Sequence, residues 1–141
     1  MQLLTSQKSK TMIKKVSWAL ASGVLAGLIS YFYGDMIETQ LVEDYSKEVP
    51  TTAIFVACLV GTVLATAGHW LLTKFIPRFG ELIFGVLFAA LTTLSLVGVL
   101  GFIFKGETTE AHQYIFYCYA MPMHFFPFLA WYGLRPLFDQ K

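Results

Sequence analysis

The side chains best suited to chemistry in this chain are its histidines, and His124 has the most unusual setting. It stands in the run AMPMHFFPF, residues 120–128, between Pro122 and Pro127. Proline has no N–H to donate, so the carbonyls of Cys118 and Met123 lose their helical partners and a kink is expected around His124. Two chemistries are open to an imidazole there. It can satisfy a freed carbonyl or a polar group across a bundle, which is a structural role. It can instead bind a cofactor, either as an axial ligand to a b-type haem or as a donor to a quinone headgroup lying among flat apolar walls.

His69 is the second candidate. It continues a stripe of small residues, Ala53, Ala57, Gly61 and Ala65, at four-residue spacing, and so should face another helix. A haem held by His69 and His124 together meets a depth problem. His69 is five residues before Lys74 and His124 eleven before Arg135, a ~9 Å offset for straight helices, whereas two ligands of one iron need similar depth. The expectation is therefore no cofactor, with haem b or quinone at His124, with or without His69, as the alternative. His112 is expected in solvent. Cys58 and Cys118 lie inside apolar runs without a CxxC partner, and packing is their expected role. No nucleotide-binding loop, zinc-protease helix or nucleophilic triad is present, and no metal site is expected.

The elements that carry these residues are apolar. Of the 141 residues, 56% are hydrophobic and 13% charged, against about 25% charged in soluble domains. Mean hydropathy is +0.61. Four runs approach the ~20 residues that span a bilayer: about 16–34, 51–73, 82–104 and 113–133. The fold class expected is an all-α membrane protein, an antiparallel four-transmembrane-helix bundle over 16–137.

Basic residues give the orientation. Lys8, Lys10, Lys14 and Lys15 precede the first run, Lys74 and Arg78 separate the second from the third, and Arg135 and Lys141 end the chain. Lys47 and Lys105 are left on the other face, so both termini are expected inside a bacterial inner membrane. Residues 1–15 then form a basic cytoplasmic tail and 35–50 an acidic outer loop, in which Ile37, Leu41 and Tyr45 suggest a short interfacial helix. The first run is too short before ALA, residues 19–21, for a cleaved signal, and is expected to stay. A net charge of +1 offers nothing to nucleic acid.

Small residues form candidate packing faces: Ala19, Gly23 and Gly27 in the first run, Ala57, Gly61 and Ala65 in the second, Gly85 and Ala89 in the third. The fourth run is aromatic. Tyr114, Tyr117, Trp131 and Tyr132 are expected in interfacial belts. No Asp, Glu, Lys or Arg lies mid-span, which argues against proton- or cation-coupled carriers. The functional expectation is a non-enzymatic structural or accessory protein, packing with itself or in a larger membrane complex. Electron transfer through His124 is the alternative. A small carrier or channel using Thr62, Thr66, Thr92 and Ser95 as a polar track is the third.

Overall fold

The computed structural model describes the backbone of residues 2–104 and 109–138 and, within those ranges, side chains from Met12 onward. Among the described residues there is no strand. Five helices follow in order: α1 Gln2–Leu41, α2 Thr51–Phe75, α3 Gly80–Leu100, α4 Glu110–Met123 and α5 Phe126–Phe138. The segments Met12–Leu41, Thr51–Phe75 and Gly80–Leu100 are each long and apolar enough to cross a membrane.

α1 overruns the expected span 16–34 at both ends. Its 40 residues reach about 60 Å. Residues 2–15, expected as a tail, continue the helix because they contain neither proline nor glycine and are rich in helix-favouring Gln, Leu, Lys and Met. At the other end Gly34 does not stop the helix. A Cβ there would lie 3.0 Å from the Tyr119 ring, so this glycine permits close packing. The stop comes at Val42, whose φ of 55° is left-handed, with Glu43 N–H donating to Glu38 O at 3.2 Å. This is a Schellman closure with valine in the position that usually holds glycine. The first part of the expected 35–50 loop is thus helical, and 42–50 makes the connection.

Pro50 caps α2 in extended conformation, and residues 76–79 turn the chain into α3. A turn this short makes α2 and α3 an antiparallel hairpin. α3 ends at Leu100, short of the expected 104, and Phe102 and Phe104 leave the helix to pack on Phe116 at 4.9 and 5.1 Å. Residues 105–108 and 139–141 of the expected connection and tail, including Lys105 and Lys141, lie outside the described residues.

The fourth apolar run is broken into α4 and α5 at His124 and Phe125. Their N–H groups donate to Met121 O and Pro122 O, closing a turn. Pro122 leaves Cys118 O without its helical donor, and the Tyr33 hydroxyl supplies one at 2.7 Å. Pro127 falls in the first turn of α5, where a missing N–H is tolerated.

α1 packs along α2 and α5, whereas α3 is the least covered of the three long helices. Three buried clusters line the bundle. One, at the end carrying the α1–α2 loop, is built on Tyr45, Val99, Phe116 and Tyr119. A middle one holds Ala26, Ile54, Cys58 and Ala130. The third, at the end carrying the α2–α3 turn, holds Trp18, Ala65, Phe84 and Trp131. Trp131, expected in an interfacial belt, is fully buried instead: its indole N–H donates to Thr66 Oγ1 at 2.9 Å and its carbonyl accepts the Trp18 N–H at 3.0 Å. Both polar atoms are satisfied inside, so the ring has no need of the headgroup region.

Candidate functional site: a groove between α2 and α3

Between α2 and α3 lies a partly open cavity of about 740 Å³. Its α2 wall runs from Ala53 to Leu72 and its α3 wall from Phe84 to Val99, with Phe116, Ala120, Met123, His124 and Pro127 closing the back. Ala53 to Leu72 is about 28 Å of helix, close to the ~30 Å of a bilayer's hydrocarbon. The volume falls within the ~300–1,000 Å³ typical of small-molecule sites. Glu48, at the loop end, is the charged residue in a lining that is otherwise apolar with a few hydroxyls, a thiol and one imidazole.

The small residues of α2 create this space. Ala53, Ala57, Gly61, Ala65 and Gly68 line it. A Cβ added at Gly61, or at Gly98 on the facing helix, would meet nothing within 4 Å. The face expected to pack on a helix is therefore open here at Ala57 and Gly61. α1 behaves differently: a Cβ on Gly23 would stand 2.9 Å from Leu59 Cα, and one on Gly27 would stand 2.5 Å from the Phe55 ring. Ala19 is buried beside them. The flank of α2 that meets α1 carries Phe55, Leu59 and Thr62, one side round from the groove. Gly85 lies against the Tyr132 hydroxyl, and Ala89 is exposed.

His124, half-buried at the α4–α5 break, reaches α3 rather than a freed carbonyl. Its Nδ1 lies 2.8 Å from Ser95 Oγ, and Ser95 Oγ donates to Thr92 O at 2.6 Å. Both histidine and serine line the groove. Sequence reasoning named both residues but did not join them, because 29 positions separate them and no periodicity relates one helix to another.

His69 has a separate environment. Its Nε2–H donates to Glu81 Oε2 at 2.8 Å. Trp18, Phe84 and Trp131 present rings at 5.9, 5.2 and 5.3 Å, all near edge-on. Glu81 also accepts both guanidinium N–H groups of Arg135, the second at 3.0 Å. One carboxylate thus ties α2, α3 and α5 at the turn end. The rings and Glu81 surround His69, whereas His124 lines the groove. Thr62 and Thr66 are also turned away from the groove, their hydroxyls bonding Cys58 O and Thr62 O, so they form no common track with Thr92 and Ser95.

At the loop end His112, expected in solvent, is half-buried. Its Nδ1–H donates to Glu43 Oε2 at 2.8 Å, and its carbonyl accepts the Tyr45 hydroxyl at 3.0 Å. Glu38 Oε1 accepts the Tyr45 N–H at 3.0 Å. Burial, reinforced by Glu43, Glu38 and Glu48, pushes the Tyr45 phenol up to about 12. Ser46 bonds to Asp44 hold that carboxyl below its usual range. Much of the acidic loop is therefore committed to holding its own fold. Cys58 meets Ser30 at 3.8 Å, and Cys118 is exposed on α4, both as free thiols. Among the described residues no group of three or more His, Cys, Asp or Glu converges.

Three helices long and apolar enough to cross a bilayer make this a helical integral membrane protein. The chain belongs to a family of unknown function, DUF6069, whose model matches residues 7–112, which take in α1 from Gln7 onward, α2 and α3. No curated protein and no solved structure matches it.

Proposed function

We propose that the protein is a non-enzymatic accessory component of a bacterial plasma membrane that holds a membrane-dissolved amphiphile in the groove between α2 and α3. The observation that carries this reading is the cavity of about 740 Å³, about as long as the bilayer's hydrocarbon is thick, with the Ser95–His124 pair at its back. α4 and α5 together make a fourth crossing, and both termini lie inside. Lys14, Lys15, Lys74, Arg78 and Arg135 at the turn end support that orientation. A quinone-type ligand suits the site better than haem, since His124 and flat aromatic walls serve a ring without a second axial ligand.

Native mass spectrometry of the protein released from its own membrane tests the proposal. The expected result is a bound small molecule that organic solvent extracts and that Gly61→Leu abolishes by filling the groove. An identical spectrum for wild type and variant, with no adduct, overturns it. A second reading rests on Gly61 and Gly98: open glycine backbone is also what a further membrane helix packs against. A dimer lost in Gly61→Leu, without an adduct, would favour that reading.

A further inference from the structure

We propose that the molecule held in the groove is a hydroxyl-headed apolar amphiphile whose O–H donates to Nε2 of His124, with its tail lying along the groove toward the α2–α3 turn. This rests on the ligand reading above and adds the polarity of the headgroup.

Counting hydrogens decides that polarity. Ser95 has one hydroxyl hydrogen. Ser95 Oγ lies 2.6 Å from Thr92 O, a carbonyl that can only accept, so the hydrogen is committed there. Ser95 Oγ must then meet His124 Nδ1, at 2.8 Å, as the acceptor, and Nδ1 carries the ring proton. Among the described residues no carboxylate bonds the ring to favour a second proton: Glu48, the acidic residue of the lining, lies on the α1–α2 loop. A neutral imidazole fixed in this tautomer has a bare lone pair on Nε2, and among the described residues nothing donates to it. An acceptor in apolar surroundings is costly until a donor meets it.

Space and length agree with this assignment. Gly61 and Ser95 stand about 21 and about 22 Å from the α2–α3 turn, so the open glycine backbone lies near the depth of the imidazole's partner. A ring fits there where a side chain on Gly61 would intrude. Beyond Thr92 toward the turn, the α3 wall is Leu91, Phe88, Leu87 and Phe84, about 10 Å of apolar surface for a chain. A phenol, a hydroquinone or a long-chain alcohol carries the required donor. An oxidised quinone presents acceptors alone, so of a quinone–quinol pair the site selects the reduced form.

The test uses the full chain in lipid nanodiscs with two probes, an alkyl hydroquinone and its dimethyl ether, which differ in the donor. The hydroquinone is expected to bind about tenfold more tightly, the value of one hydrogen bond to an otherwise unmet acceptor. Ser95→Ala, which frees the ring to turn and offer N–H, should bring the ratio toward one, and Gly61→Leu should abolish binding of both. Nitrogen NMR of the free protein should show His124 protonated at Nδ1, with the Nε2 resonance moving when hydroquinone is added. Equal affinities, both lost in Gly61→Leu, or an Nε2–H tautomer, overturn the donor assignment and leave the groove reading intact. Failure of both probes to bind, or indifference to Gly61→Leu, overturns both.

Discussion

The Glu81 carboxylate meets the His69 imidazole at 2.8 Å across the α2–α3 hairpin, and the same carboxylate is gripped by Arg135 of α5. α3 has little covering surface, so this polar junction is a main tie at the turn end. Glu81→Ala should lower stability by about 1 kcal/mol, modest because the Glu81 side chain is 47% exposed and its charges are screened. Glu81→Gln, which retains an acceptor, should lose less. Thermal unfolding in detergent checks both, and added salt should narrow the gap between wild type and Glu81→Gln.

Tyr45 plays the matching role at the loop end, buried with its hydroxyl donating to His112 O. Tyr45→Phe should cost about 1 kcal/mol. The phenol's folded pKa, about 12, is above its ordinary value of 10.0, so folding favours the protonated form. The stability it contributes is complete below pH 10 and is lost as pH rises through about 12. Tyrosinate absorbance during alkaline titration should contain a late component that Tyr45→Phe diminishes.

Two glycines of similar sequence context should respond oppositely to alanine. Gly23→Ala places a methyl 2.9 Å from the Leu59 backbone, forces α1 from α2, and should destabilise by about 1–3 kcal/mol. Gly61→Ala meets nothing within 4 Å and should gain about 0.5–1 kcal/mol from helix propensity. Parallel denaturation of the two variants decides whether the α2 stripe is open.

Val42 holds φ at 55° while 91% exposed, so its left-handed backbone gains little from packing. A β-branched residue there is strained by roughly 1–2 kcal/mol. Val42→Gly should therefore stabilise the protein by about 1 kcal/mol, measured as a raised unfolding midpoint without change in the groove probes' affinity.

The long apolar helices were legible because length and hydropathy alone satisfy the bilayer requirement. Their ends were not. Helix-compatible charged residues extended α1 beyond its apolar core, and the phenylalanines after Gly101 were apolar yet left α3 to pack on Phe116. Prolines announced the break near His124, since a missing N–H is a property of the residue itself. The Glu81 tie was within reach of sequence reasoning: a four-residue turn between antiparallel helices brings the first turn of α3 beside the last turns of α2. Arg135, on a distant helix, had no such signal.

What the sequence by itself determined is an apolar helical chain of membrane composition, distorted between Pro122 and Pro127, because composition, length and backbone donors are local properties. Which face of each helix meets a neighbour was decided by the tertiary structure. A stripe of small residues permits close approach without requiring it: on α1 the stripe at Gly23 and Gly27 is filled by Leu59 and Phe55, whereas on α2 the stripe at Gly61 is left as a groove. His124 likewise became a polar group of that groove only when the packing of α3 against the α4–α5 break brought Ser95 across.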